Sequence, residues 1–406
     1  MTLAKFDPFD PAFRANPYPF YSALRDTDPV HTPAGADAVI LTRYDDVSQT
    51  LRSNSFSRDI EATAKPPTDP LAIAKRNRRA NRNASKSILN LDPPDHTRLR
   101  RLVSKAFTPS AIERLRPRVQ RLVDDVLDRA SADGGLELID DLAFPIPFQV
   151  ISDLLDMPVD RAEEMREWSQ IITFSLEPTS TLDDLAKVDA VFAELVPYLL
   201  TVVEDRRAHP GDDLLSALIA VEENGDTLTL PELMSFVILL YIAGHETTVN
   251  LIGNSVNALL AHPDQLALWH ANPSIGTNAV DEFLRYDGPV QQTVRVPIVP
   301  VTYQGLAGPV TIEPGTVVTT VLGAANRDPH MFVEPDRLDL TRTNANRHMA
   351  FASGIHYCLG SNLARLEAEV AVGSLVARFP NMRATGDITW RDRLTIRGVD
   401  HLSLTF

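Results

Sequence analysis

The stretch "FASGIHYCLG", residues 351–360, contains Cys358, the single cysteine of a chain of 406 residues. A lone cysteine is more often a buried small hydrophobe than a reactive group. The neighbours of Cys358 argue otherwise. Gly354 and Gly360 allow the loop to pack tightly against a flat surface, with backbone amides turned towards the sulfur. A helix expected from Leu359 to Arg378, ending before Pro380, adds its positive end. Both effects favour thiolate over thiol. A thiolate held on such a loop suits a metal ion carried in a planar ligand.

One cysteine excludes a disulfide framework, iron–sulfur clusters and cysteine-rich zinc sites. With 54 Asp plus Glu against 39 Lys plus Arg, the net charge of −15 argues against nucleic-acid binding. The opening "MTLAKFDPFDPAFRANPYPF" lacks the apolar centre of a signal peptide. The most apolar run, "LMSFVILLYIAG", covers about twelve residues where a membrane crossing needs about 18. The expectation is a soluble, cytoplasmic chain without membrane contact.

No repeat or linker divides the sequence, so residues 1–406 read as a single domain. Turn residues in "PVHTPAGADAVILTRY" predict an early hairpin, and residues 294–322 a second β-rich patch. Between Asp95 and Ala261 the pattern is mostly helical. The fold class is mainly α, with a smaller β region built from distant segments.

"TLPELMSFVILLYIAGHETTVNLIGNSVNALLAHP" predicts one helix from Leu230 to Ala261. Thr229 and Glu232 have capping-box spacing, and Pro263 follows its end. It is apolar nearly all round before Ala243, which places it in a core. Gly244, His245, Glu246, Thr247 and Thr248 then interrupt the pattern. Buried carboxylates are costly unless partnered. Two readings stand: a satisfied polar kink, or a groove where an acid and an alcohol face a ligand or water.

Together these segments resemble the cytochrome P-450 superfamily, specifically its soluble bacterial, ferredoxin-dependent monooxygenases. "FASGIHYCLG" is similar to the family's Phe-x-x-Gly-x-x-x-Cys-x-Gly ligand loop, through Phe351, Gly354, Cys358 and Gly360. "AGHETT" resembles the oxygen-activation motif, and "EFLR", Glu282 to Arg285, the Glu-x-x-Arg pair. The resemblance covers essentially the whole chain. It implies a cytochrome P-450 fold with haem sandwiched between the central helix and the cysteine loop and last helix.

What the resemblance implies can be set out residue by residue. Cys358 is the axial thiolate of heme b, pushing electron density towards iron and favouring O–O cleavage. The haem is not covalently attached, since no C-x-x-C-H motif is present. His96 and Arg100, four apart on one helical face, bind a propionate together with Arg295 and His356. Glu246 and Thr247 are the acid–alcohol pair that delivers protons. Glu282 and Arg285 form a structural ion pair with Arg337, in a segment "EPDRLDL" that departs from the family's commoner Pro-Glu-Arg-Phe. Leu89, Leu239, Ala243, Val290 and Thr293 line the pocket for a hydrophobic or mixed-polarity small molecule. Electrons come from NAD(P)H through ferredoxin reductase and ferredoxin.

Two basic clusters carry alternatives. Arg98, Arg101 and Lys105 are either an ordinary solvated face or a docking surface for an acidic ferredoxin. The run "AKRNRRANRNASK", residues 74–86, is either a solvated loop or a means of capturing an acidic or carrier-bound substrate through Arg76, Arg78, Arg79 and Arg82. The competing functions are a haem-binding sensor or carrier without turnover, and a hydrolase with Cys358 as nucleophile and His356 or another histidine as base.

Overall fold

The computed structural model describes residues 10–33, 37–80, 86–104, 107–158, 161–223 and 226–406. It is mainly helical with a smaller β portion, as expected. Its contacts divide the chain into two compact units, one of residues 1–64, 115–146 and 247–406, the other of residues 65–114 and 147–246.

The first unit holds the larger sheets. In a five-stranded sheet the early hairpin, Val30–His31 with Ala38–Leu41, joins Val317–Val321, Gln292–Pro297 and Phe56–Ser57. Val30 lies opposite Leu41, and Val317–Thr320 runs parallel to Ala38–Leu41. Residues 34–36 of the hairpin lie outside the described residues. Alternation sends Val39, Leu41, Val318 and Phe56 into one apolar cluster with Val47, Leu322, Phe332 and Met349. The β region is therefore assembled from segments remote in sequence, as the pattern predicted.

The helix Gly276–Asp287 organises the rest of this unit. Glu282 and Arg285 are both 0% exposed. Arg285 donates from Nε and Nη2 to the two Glu282 carboxylate oxygens at 2.7 and 2.8 Å, a forked pairing. Its remaining donors reach the carbonyls of Asn326, Pro335 and Arg337 at 3.1, 2.7 and 3.1 Å. The third charged partner is Arg342, whose Nε donates to both Glu282 oxygens at 3.2 and 3.1 Å. This corrects the expectation for Arg337. Its side chain is 59% exposed and pairs with Glu334 at 3.3 Å; only its backbone carbonyl joins the clamp. A turn aims the side chain of Arg337 at solvent and that of Arg342, five residues on, inward.

The second unit is helical. It includes Pro70–Ala80, Asp95–Ser104, Ala162–Phe174, Leu182–Ala208 and the first half of the central helix. That helix runs from Leu230 to Ala261 as predicted. The Thr229 amide donates to Glu232 at 2.8 Å and the Glu232 amide to the Thr229 hydroxyl at 3.4 Å, which is the predicted capping box. Among the described residues it is the one helix long and apolar enough to cross a membrane, beyond the twelve-residue run read from sequence; 61% of its apolar window is buried.

Breaking a buried ion pair from one side leaves an uncompensated charge and costs about 3–5 kcal/mol. Arg285→Ala is therefore expected to lower folding stability by about that amount, measured as the denaturation midpoint of the purified protein, whereas Arg337→Ala leaves the midpoint unchanged.

Candidate active site

The ligand loop lies in the first unit and is held by its own backbone. The Cys358 amide donates to the Phe351 carbonyl at 3.0 Å, and the Tyr357 amide to that of Gly354 at 3.1 Å. Gly354 has φ +73°, and a Cβ there would stand 2.4 Å from the Leu51 carbonyl oxygen. Its glycine is required by that backbone approach, which differs from the expected role against a flat ligand. Gly360 does leave an open side, since a Cβ on it would meet no atom within 4 Å. Cys358 is half-buried and forms no disulfide. The last helix, Ser361–Arg378, begins three residues later, so its positive end follows directly on the loop.

Arg295, on the strand Gln292–Pro297, is 3% exposed; its partners include the Thr293 hydroxyl at 3.4 Å and the Val294 carbonyl at 2.8 Å. His356 and Thr293 are half-buried, as is Val290, which bridges to Ile396. These residues fit a haem: a thiol with an open side at Gly360, and a buried guanidinium suited to a carboxylate.

In the second unit His96 is buried on the helix Asp95–Ser104, and Arg100 is half-buried one turn later. Burial, and then the neighbouring Arg100 charge, lower the His96 pKa. Arg98 does not face solvent freely: it pairs with Asp226 at 3.1 Å and more closely with Glu232. That removes Arg98 from the expected basic surface; Arg101 is exposed, and Lys105 lies outside the described residues. Leu89 is 44% exposed.

The central helix shows why its middle is polar. His245 is 0% exposed. Its Nδ1–H donates to the Tyr241 carbonyl at 2.6 Å, and its Nε2 lies 2.9 Å from the Ser169 hydroxyl. Phe148 and Tyr241 contact the ring edge-on. A Cβ on Gly244 would meet Ile151 at 3.4 Å, so that side is packed. The open side belongs to Ala243, which is exposed, with Leu239 four residues before and Thr247 four after, both half-buried. These three share one helical face. Glu246, at 1% exposure, is next to it.

One acid escaped the sequence reading. Glu367, on the last helix, is 1% exposed, and burial holds its pKa well above the usual carboxylate range, opposed by a hydrogen bond with Thr248. The signal was its position: Leu363, Leu366, Glu367 and Val370 form one buried helical stripe, with a carboxylate where an apolar residue belongs.

Comparison with known proteins agrees with this geometry. The family described as Cytochrome P450 matches residues 34–268 and 275–384, and the chain belongs to that family. It is 42% identical to Cytochrome P450 107B1 of Saccharopolyspora erythraea, over 97% of this chain and 96% of that protein. The vitamin D(3) 25-hydroxylase of Pseudonocardia autotrophica is also 42% identical, over 98% and 96%. Among solved structures, P450BioI in complex with hexadec-9Z-enoic acid ligated acyl carrier protein superposes with a TM-score of 0.86 at 35% identity, covering 97% and 99%. The protein is a cytochrome P450 monooxygenase, its cofactor is haem, and its single cysteine, Cys358, is the axial thiolate. A hydrolase built on that sulfur is excluded by the same evidence.

A carboxyl whose folded pKa lies above its unfolded value binds more protons when folded, so it costs stability as pH rises through and above the unfolded value. Glu367→Gln removes that cost. The variant is expected to melt at higher temperature than the parent at neutral pH, with the difference shrinking as pH falls towards the ordinary carboxylate range.

Proposed function

We propose that the chain oxygenates a hydrophobic or mixed-polarity small molecule, with electrons passed from NAD(P)H through a ferredoxin reductase and a ferredoxin, in the cytoplasm. The observation that carries the substrate class is the stripe Leu239, Ala243 and Thr247: apolar and small residues stand open on a helix that is otherwise core. Val290 and Thr293 are read in the same way, and Leu89 from the segment before the helix Asp95–Ser104. The family match spans both compact units, which supports treating residues 1–406 as one functional domain.

Bound haem supplies reductive activation of O2, and the protein's own groups supply protons and order. In this reading His96, Arg100, Arg295 and His356 hold the propionates. Thr247 is half-buried on the open stripe, and in this reading its hydroxyl donates a hydrogen bond at the reacting face and orders water there. Glu246 is the adjacent buried acid that passes protons to it. His245 fixes the helix around both through its bonds to Tyr241 and Ser169. An enzyme fed by reduced partners needs such a controlled proton supply, which favours turnover over a sensing or carrier role.

A carrier-bound acyl substrate is a second reading, favoured by the basic run in an otherwise acidic chain and by the likeness to P450BioI. Lys75 of this run donates to the Pro178 carbonyl at 3.3 Å and Arg76 to that of Lys65 at 3.5 Å. Arg82 and the side chains of Arg78 and Arg79 lie outside the described residues.

Thr247→Ala is expected to keep substrate binding and NAD(P)H oxidation while most of the reducing equivalents appear as hydrogen peroxide. Measured with a surrogate ferredoxin and reductase, full coupling of NAD(P)H to product in this variant would overturn the proton-delivery role.

A further inference from the structure

The helix Gly276–Asp287 carries two adjacent buried carboxylates with different partners. Glu282 closes the ion-pair clamp with Arg285 and Arg342. Asp281, 7% exposed, does something else. Its Oδ1 accepts from Nε of Arg365 at 2.7 Å and lies 3.3 Å from Nε2 of His348. The Ala350 amide donates to His348 Nδ1 at 3.1 Å, so the ring proton sits on Nε2 and points at Asp281. A ring whose Nδ1 accepts is neutral, and burial lowers the His348 pKa in the same direction.

Both partners of Asp281 press on one side chain. The Arg365 guanidinium carbon lies 4.7 Å from the centroid of the Phe351 ring, and the His348 ring centroid lies 5.4 Å from it. Tyr357 packs edge-on against the same ring at 6.2 Å, and its hydroxyl accepts from Arg365 at 3.4 Å. Phe351 and Tyr357 bracket the ligand loop. The Phe351 carbonyl is the acceptor of the Cys358 amide, and Tyr357 is the residue before the sulfur. A carboxylate outside the loop therefore grips both of its ends, through one cation and one neutral imidazole.

We propose that Asp281 is a positioning residue for the thiolate: by holding Arg365 and His348 against Phe351 it fixes the ligand loop and, with it, the Cys358 sulfur. The inference rests on Cys358 as axial ligand and adds what keeps it there. Asparagine at 281 is nearly isosteric but loses the charge that binds Arg365, and replaces one of two acceptor oxygens by a donor. The loop loses its outer brace while the clamp at Glu282 and the haem-contacting residues stay in place.

The test uses haem-loaded holoenzyme: parent, Asp281→Asn, Asp281→Glu and Arg365→Lys. For each, haem content, the spectrum of the dithionite-reduced CO complex and the thermal midpoint are recorded. Asp281→Asn is expected to bind haem but to show part of it without the strongly red-shifted Soret band of a thiolate–iron–CO complex, a fraction that grows on standing. Asp281→Glu restores the band, and Arg365→Lys, which keeps the charge but loses the planar fork, shares the defect. An Asp281→Asn protein that melts earlier yet keeps the full parental band overturns the proposal, because a merely structural role predicts that pattern. Should Asp281→Asn fail to fold, Arg365→Lys decides by the same band. A parent without the red-shifted band would instead refute the ligand assignment itself, so the two failures are distinguishable.

Discussion

The hydrogen bond from the Cys358 amide to the Phe351 carbonyl, 3.0 Å long, closes the segment on which the chemistry depends. A thiolate can donate electron density along an axial bond only while the backbone beside it stays in register with the ligand. Loops rarely provide that stillness by themselves. Here Gly354 adopts a left-handed φ where the Leu51 carbonyl would exclude any Cβ. Phe351 is buried beneath His348 and Arg365. The start of the last helix follows at Ser361. Each feature removes a freedom that a reactive sulfur cannot be allowed.

Buried charge provides the supporting framework. Charges out of water are favourable only when their remaining donors and acceptors are satisfied. The clamp meets that condition: Glu282 accepts from Arg285, Arg342 and the Asp339 amide, and Arg285 reaches three carbonyls. Such a network fixes the course of the 326–342 segment more sharply than apolar packing would, since a small shift leaves an ion unpartnered. The central helix combines both kinds of support. It is apolar over most of its first half, is tied through buried polar groups such as His245 and Asn254, and leaves Ala243 exposed and Thr247 half-buried on one face.

Much of this was legible in the sequence because it is encoded locally. The glycine-flanked cysteine, the capping box at Thr229, the break at residues 244–248 and the i, i+3 pair of Glu282 and Arg285 are short-range patterns, and the structure places the last pair at bonding distance. What escaped depends on tertiary direction. Arg337 and Arg342 lie five residues apart in one irregular segment, and nothing local says which side chain turns inward. Arg98 reads as part of a solvated basic face until the capping glutamate Glu232 is found beside it. Glu367 looks like an ordinary helix-surface acid unless its place in the buried stripe is counted, and Asp281 is masked by the motif that begins immediately after it.

The measurement that bears most directly on the central claim is the absorption spectrum of the purified, reduced, CO-saturated protein alongside its haem content. A sulfur anion bonded to iron predicts one haem per chain and the strongly red-shifted Soret band, with the band absent in Cys358→Ser. A preparation that cannot be loaded with haem, or a Cys358→Ser variant that keeps the parental band, would contradict it.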